Sequence, residues 1–252
     1  MNRLSDQVAV ITQAQSHLSL ECARQFSDEG ARLVLCSENP KALEQLVTEI
    51  EENGGEAVSF CSALENEEQA KALVEEALKN FGQIDVVVNN TDPDLPEGSD
   101  EDGSIRSQKL KTLLESANQL SHAAATEMAD ADHPAIISLA PLFASKDPAY
   151  PAYVKTLAGL IGLCRSRELR EICPQVRINA VFPGSGVLPI PAMISPETLA
   201  GEMMSAMDEY EEFSAPAPDP EDLANIALFL ASDEAKAING QAIVADYGAS
   251  IN

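Results

Sequence analysis

The sequence predicts an α/β fold in which a doubly wound parallel sheet occupies a single domain, residues 1–252. Short apolar segments alternate with amphipathic helical segments, and the apolar segments carry hydrophobic residues at successive positions. Strands of this kind are buried on both faces, which is typical of a parallel sheet that helices cover on each side. With 252 residues, 45% of them hydrophobic, the chain is long enough for one domain with a large core.

The predicted elements follow one another in the order that this fold requires. Strands are predicted at residues 8–11, 31–36, 57–61, 84–88, 135–139, 177–182 and 241–245. Helices are predicted at residues 18–29, 40–53, 67–81, 110–128, 152–172 and 221–232. The alternation is interrupted by the variable region 195–220 and by residues 92–104, which are acidic and rich in glycine and proline. The second interruption predicts a solvated loop.

Composition limits the partners that the chain can have. It carries 41 acidic and 16 basic residues, and this net charge of -25 argues against nucleic acids and anionic membranes. A halophilic source, an acidic patch that meets a basic subunit, and an ordinary soluble surface are three explanations that the sequence leaves open. The five cysteines show no CxxC pair, so we expect buried free thiols and no metal site. Without an apolar leader or a long apolar run, we expect a cytoplasmic protein.

Several segments resemble a known family. Residues 81–90 (FGQIDVVVNN) resemble its fourth strand and Asn-Asn-Ala-Gly turn, and residues 178–184 (INAVFPG) resemble its Pro-Gly stretch. Residues 227–234 and 238–241 resemble its C-terminal signature. The chain is similar, over nearly its whole length, to the short-chain dehydrogenase/reductases. The resemblance implies a Rossmann-like domain, NAD(P)-dependent chemistry and tetrameric assembly.

The proton-transfer unit of that family is incomplete here. Its tyrosine and the lysine four residues later share one helix face, so that the ammonium lowers the pKa of the phenol. Tyr153 stands at the tyrosine position, but Leu157 replaces the lysine. Lys155 is only two residues away and points elsewhere, while the residue four after Tyr150 is Val154. Tyr153 is therefore predicted to be vestigial.

The other catalytic positions of the family are also replaced. Its serine aligns with Ala140 or Pro141, and neither has a hydroxyl. Ser138 comes two residues too early, on a strand that should run into the core. The family's asparagine aligns near Leu113, with Thr112 adjacent. We therefore predict no catalytic residue in this chain.

The glycine turn after the first strand has lost its three glycines. Gln13, His17 and Ser19 replace them. Glycine allows positive φ angles and a close approach of the pyrophosphate, so we predict that this turn binds no dinucleotide. A phosphate or CoA group at the helix N-terminus, assisted by His17, is an alternative that remains open.

Further cofactor positions differ as well. Ser37 and Glu38 stand where the ribose-binding acid would be, and Ser62 replaces the adenine-side aspartate. Asp92 replaces the glycine after the fourth strand, and Leu188 replaces the nicotinamide-side threonine. We expect no cofactor in this chain and NAD(P) in an active partner subunit.

The catalytic and cofactor-binding positions of the family are replaced together, while the segments that determine the fold remain. This pattern favours a protein with a structural role. We predict an inactive subunit that forms a heterotetramer with an active paralogue, as in the two-component dehydrogenase that acts on a hydroxybenzylsuccinyl-CoA in anaerobic toluene degradation. Assembly is predicted through helices 110–128 and 152–172 and through residues 240–244. The apolar face of the second helix is formed by Leu157, Leu160, Ile161 and Cys164.

Two alternatives belong to other classes. One is an enzyme of the same fold with cofactor-independent chemistry, a lyase, isomerase or dehalogenase-like enzyme that uses Tyr153, His17 or Asp92. The other is an atypical NAD(P)-dependent oxidoreductase. Co-purification of a second chain of similar size would favour the inactive subunit over both.

Overall fold

The computed structural model describes residues 2–93, 95, 103–141, 148–184 and 218–248. The strands in these ranges are β1 (Val8–Ile11), β2 (Arg32–Ser37), β3 (Glu56–Cys61), β4 (Val86–Asn90), β5 (Ala135–Leu139), β6 (Arg177–Phe182) and β7 (Ala242–Val244). The helices are α1 (His17–Asp28), α2 (Pro40–Glu52), α3 (Glu67–Phe81), α4 (Ser104–Glu127), α5 (Tyr150–Cys164), α6 (Arg167–Ile172) and α7 (Pro220–Ala231). Short 3₁₀ turns cover Met128–Asp130 and Asp233–Ala235.

The strands form one sheet in the order β3-β2-β1-β4-β5-β6-β7, and every neighbouring pair is parallel. This arrangement confirms the predicted fold class. The strand order reverses between β1 and β4. In doubly wound sheets the carboxyl ends of the strands at this switch point border the ligand cleft, so the candidate site lies there.

Each strand faces two separate hydrophobic cores. Val87 and Ile136 pack under α3, α4 and α5, while their neighbours Val88 and Ile137 pack under α1, α2 and α7. This alternation confirms that the strands are buried on both faces. Its consequence for the site is that successive residues at the end of a strand point to opposite sides of the sheet.

Polar side chains fix where three of the helices begin. Ser16, Asn39 and Asn66 each accept a hydrogen bond from a backbone amide three residues later, at the start of α1, α2 and α3. Each such N-cap contributes about 1 kcal/mol to helix stability. At its other end α3 stops at Gly82, whose φ of +77° suits glycine.

Helix α4 begins at Ser104, earlier than the predicted residue 110. Gly103 precedes it with φ of +71°, a conformation that favours glycine. A Cβ atom on Gly103 would lie 2.5 Å from the backbone nitrogen of Ala149, so glycine also permits α4 to start against the beginning of α5. The sequence pattern missed this start because it rests on backbone packing.

Two further boundaries differ from the prediction. The predicted helix 152–172 is two helices, because Ser166 accepts a hydrogen bond from the amide of Leu169 and starts α6. Strand β4 extends to Asn90, since Asn89 and Asn90 pair in register with β5. The predicted region 195–220 lies almost wholly outside the described residues, as does most of the predicted loop 92–104.

Within the described ranges, no helix is both long and apolar enough to cross a membrane. The cysteines are free, and burial raises the pKa of Cys22, Cys36 and Cys164 to about 12. The expectation of buried thiols is wrong for Cys61, which is exposed because alternate residues of the edge strand β3 face solvent.

Candidate functional site

Helix α5 carries the tyrosine of the predicted proton-transfer unit into the hydrophobic core. Tyr153 is 1% exposed, and Leu157, one turn later, is 0% exposed. The ring of Tyr150 lies 6.1 Å from that of Tyr153, measured between centroids. Burial, followed by the charges of Tyr150 and Asp92, raises the pKa of the Tyr153 phenol above its usual value. Because all three influences oppose ionisation, the phenol keeps its proton at neutral pH.

Lys155 lies on the outer side of α5 and is exposed. Its position two residues from Tyr153 turns it away from the phenol, as the helix geometry predicts. The helix therefore places a leucine, and not an ammonium, on the side of α5 that carries Tyr153.

The serine position of the family lies at the end of β5. Ala140 and Pro141 are buried there, and the amide of Ala140 donates to the carbonyl of Val181 at 2.9 Å. Ser138 points into the core beside Asn89, its register partner on β4. Within the described chain neither the Ser138 hydroxyl nor the Asn89 Oδ1 has a hydrogen-bond partner. Ser138 is therefore a core residue that substrate does not reach.

The position of the family's asparagine is apolar and tightly packed. Leu113 is buried and Thr112 is half-buried on α4. A cavity of about 10 Å³ lies beside Leu113, also lined by Thr12, Gln13 and Asn89. A volume of this order holds about one water molecule.

The β1–α1 turn keeps a glycine-like backbone although it carries a glutamine. Gln13 has φ of +51° and is 8% exposed. Few non-glycine residues adopt this left-handed conformation. Gln13 thus has a backbone conformation that favours glycine, although its side chain is a glutamine.

Asn90 joins this turn to the end of β4. Its Nδ2 donates to the hydroxyls of Ser16 at 2.7 Å and Ser19 at 2.9 Å. The Ser19 hydroxyl in turn donates to the carbonyl of Thr12 at 2.8 Å. Ser19 occupies a glycine position of the family and here serves as a fully buried link between β4 and α1.

A second set of hydrogen bonds crosses the mouth of the turn. Gln15 donates through Nε2 to Oε1 of Gln13 at 2.6 Å, and its own Oε1 accepts from the Ser37 hydroxyl at 2.6 Å. Ser37 also accepts from the amide of Asn39 at 3.0 Å. The sequence analysis did not single out Gln15. Its signal is a long carboxamide two residues after a lost glycine, within reach of the residue that ends β2.

The remaining predicted positions lie around this edge. His17 and Glu38 are exposed, and Ser62 is half-buried and accepts from the amide of Leu64 at 3.2 Å. Asp92 is half-buried, and its amide donates to Oδ1 of Asn90 at 2.9 Å. The structure thus brings Gln13 and Ser37 together and leaves the carboxylate of Glu38 and the ring of His17 facing solvent.

Leu188 lies outside the described residues. In the described part of the chain, no group of three or more histidine, cysteine or acidic side chains has metal-binding geometry.

Comparison with known proteins decides the family. A family model described as enoyl-(acyl carrier protein) reductase matches residues 14–250. The chain is a short-chain dehydrogenase/reductase. The prediction of this family from residues 81–90, 178–184, 227–234 and 238–241 is confirmed. The family is one of oxidoreductases, and its members bind NAD(P), but this assignment alone does not give the chain a cofactor.

This short-chain dehydrogenase/reductase aligns with curated relatives over nearly its whole length. It is 29% identical to 2,5-dichloro-2,5-cyclohexadiene-1,4-diol dehydrogenase of Sphingobium indicum over 99% of this chain and 98% of the relative. It is also 29% identical to 3-oxoacyl-(acyl-carrier-protein) reductase of Staphylococcus aureus over 93% of this chain and 94% of the relative.

Solved structures share the fold. A hydroxysteroid dehydrogenase from Escherichia coli superposes with a TM-score of 0.72 at 25% identity, covering 100% of this chain and 98% of that one. A 7α-hydroxysteroid dehydrogenase in complex with NADH superposes with a TM-score of 0.71 at 23% identity, covering 100% and 97%. At 23% identity, the likeness to the 7α-hydroxysteroid dehydrogenase shows the fold alone.

Proposed function

We propose that this chain is a catalytically inactive subunit of a short-chain dehydrogenase/reductase complex in which an active paralogue binds NAD(P) and performs the alcohol oxidation. The observation that carries the proposal is the position of Tyr153. A general acid or base must reach substrate and must have a pKa near the working pH. Tyr153 is packed in the core, its pKa is raised, and Leu157 stands where the ammonium would be.

The cofactor turn supports the same proposal. Gln13 stands at a glycine position of the turn that approaches the pyrophosphate in the family, and the side chain of Gln15 is hydrogen-bonded to it. Exposed Glu38 also opposes a 2′-phosphate through its charge. The proposal therefore assigns no cofactor to this chain.

The predicted assembly face needs a correction. Leu157, Leu160, Ile161 and Cys164 are buried within the chain itself. They pack against α4 and the sheet, so they belong to the core of this subunit. A partner on this side would instead contact the outer positions of the helices, among them exposed Lys111 and Lys155.

Charge supports a partner on the α4–α6 side. Residues 104–127 and 150–172 contain seven of the 16 basic residues of the chain but only four of the 41 acidic ones. A second acidic chain meets less repulsion there than at any surface with the average charge of this protein. The edge strand β7, whose residues are half-buried, is the second predicted contact.

The two-component hydroxybenzylsuccinyl-CoA dehydrogenase is the arrangement that these losses resemble. An aromatic CoA thioester carrying a secondary alcohol is therefore the first substrate to test on the complex. Native mass spectrometry of this chain co-expressed with its paralogue should show a tetramer containing both chains. A homotetramer that ignores the paralogue and turns over an alcohol with NAD(P) would contradict the proposal and favour the atypical oxidoreductase.

One observation favours a second candidate, cofactor-independent chemistry of the lyase or isomerase kind. Asp92 is half-buried after β4, and its charge is the third cause, after burial and Tyr150, that raises the pKa of the Tyr153 phenol. This candidate requires activity of the isolated chain without added nucleotide, and that activity must be lost on Asp92→Asn.

A further inference from the structure

Two turns flank the position of the adenosine ribose in dinucleotide-binding folds: the one after β1 and the one after β2. In this chain Gln15 belongs to the first turn, and Ser37 ends the strand that leads into the second. A continuous run of hydrogen bonds joins them, from the Asn39 amide through Ser37 and Gln15 to Gln13. The two sides of the cleft are therefore tied together by the chain itself.

Two of the residues in this run are buried. Ser37 is 1% exposed and Gln13 is 8% exposed. Buried polar groups that lose their partners destabilise a fold, so each of these groups needs a partner. Gln15 supplies one to each of them with a single carboxamide, which can donate and accept at the same time.

We infer that Gln15 closes the nucleotide cleft by taking, within the chain, the hydrogen bonds that a bound adenosine would make. The turn itself has not collapsed, because Gln13 still holds the left-handed backbone of a glycine. The cleft is thus blocked by side chains on a retained backbone. This inference rests on the proposed absence of a cofactor, and it adds which residue replaces the cofactor.

If Gln15 occupies the adenosine position, adenosine should be able to replace the Gln15 side chain once that side chain is removed. In Gln15→Ala, the Ser37 hydroxyl loses its acceptor, Oε1 of Gln13 loses its donor, and the ribose position opens. The variant should melt at a lower temperature than the wild-type chain. Millimolar adenosine should raise its Tm by about 2 °C or more, since a ligand that binds only the native state stabilises it. Adenosine should leave the Tm of the wild-type chain unchanged.

Two matched variants distinguish closure of the cleft by Gln15 from a general loss of stability. Ser37→Ala removes two hydrogen bonds, the one to Gln15 and the one from the Asn39 amide, but keeps Gln15 in the cleft. Its Tm should therefore fall without any response to adenosine. Gln45→Ala changes an exposed glutamine of α2 and should leave both the Tm and the response unchanged. If Gln15→Ala does not fold, Gln15→Ser takes its place.

A folded Gln15→Ala protein that ignores adenosine would overturn the inference, and so would an equal response from the wild-type chain. The first result leaves the inactive-subunit proposal intact, because that proposal depends on Tyr153 and on the partner. A homotetramer with turnover would refute the proposed function whatever the Tm values show. The two failures are therefore distinguishable.

Discussion

The end of the sheet around β6 and β7 and the carboxyl edge of β1 and β4 use their polar residues differently. At the first, Arg177 is buried and donates to the carbonyls of Leu230 at 2.5 Å, Ala231 at 3.0 Å and Ser232 at 3.3 Å. Asn179 donates to the carbonyl of Ile238 at 2.9 Å and accepts from the amide of Gln241 at 3.0 Å. These residues join β6 to the end of α7 and to the turn before β7, and Asn179 belongs to a stretch that matches the family.

At the carboxyl edge of β1 and β4, the polar side chains bond to one another. Asn90 is hydrogen-bonded to Ser16 and Ser19, and Gln15 is hydrogen-bonded to Gln13 and Ser37. Glycine would leave this space open for a ligand. Asn179, which stabilises the chain, lies in a stretch that resembles the family, while Gln13 and Ser19, at glycine positions of the family, make hydrogen bonds within the chain.

The largest effect is expected at Arg177. Arg177→Met removes the donors to the carbonyls at the end of α7 and leaves those carbonyls buried. We expect a loss of about 3 kcal/mol in the free energy of unfolding. Urea denaturation measures it. Arg167→Met is the control, because its side chain is 92% exposed and its ion pair with Glu171 lies at the surface. A loss of similar size in the control would break the comparison.

Asn90 tests whether the carboxyl edge is now structural. Asn90→Ala removes two donated hydrogen bonds to α1 and one accepted from Asp92. We expect a loss of about 2 kcal/mol, smaller than at Arg177 because the lost hydrogen bonds are not made by a charged group. Asn80→Ala, which removes hydrogen bonds at the exposed end of α3, should cost less. Equal stability of Asn90→Ala and wild type would show that the hydrogen bonds of Asn90 do not stabilise this edge.

Tyr153 should show the smallest effect on activity. Tyr153→Phe in this chain should leave the turnover of the complex with its paralogue unchanged, because the phenol is buried and has a raised pKa. The matched control is a Tyr→Phe substitution at the equivalent position of the paralogue. It should lower the turnover of the complex about 100-fold or more, as expected for the loss of a working general acid. Steady-state kinetics measure both. A loss of that size on Tyr153→Phe would mean that this chain does chemistry.

Much of the fold followed from the sequence because its determinants are local. Runs of hydrophobic residues such as Val86–Val87–Val88 indicate strands buried on both faces, and the structure confirms them. Two of the boundaries that failed depend on contacts between distant segments. The start of α4 depends on Gly103 against Ala149, and the extension of β4 depends on pairing with β5.

The candidate site was only partly predictable. Missing glycines and the missing lysine can be read from Gln13, His17, Ser19 and Leu157 because family positions are fixed by spacing. The spacing does not reveal where a replacing side chain goes. Gln15 was missed because its partners Gln13 and Ser37 are set by the three-dimensional approach of two turns. The assembly face was misplaced because an apolar helix stripe packs equally well against its own sheet.

Calorimetric titration of the purified chain with NADH and with NADPH tests the central claim most directly. The account predicts no binding tighter than about 1 mM, which corresponds to about 4 kcal/mol. The same titration of the complex with its paralogue should show binding by the partner subunits alone. Micromolar binding of either nucleotide to the isolated chain would contradict the account, since Gln13 and Gln15 would then leave room for the cofactor.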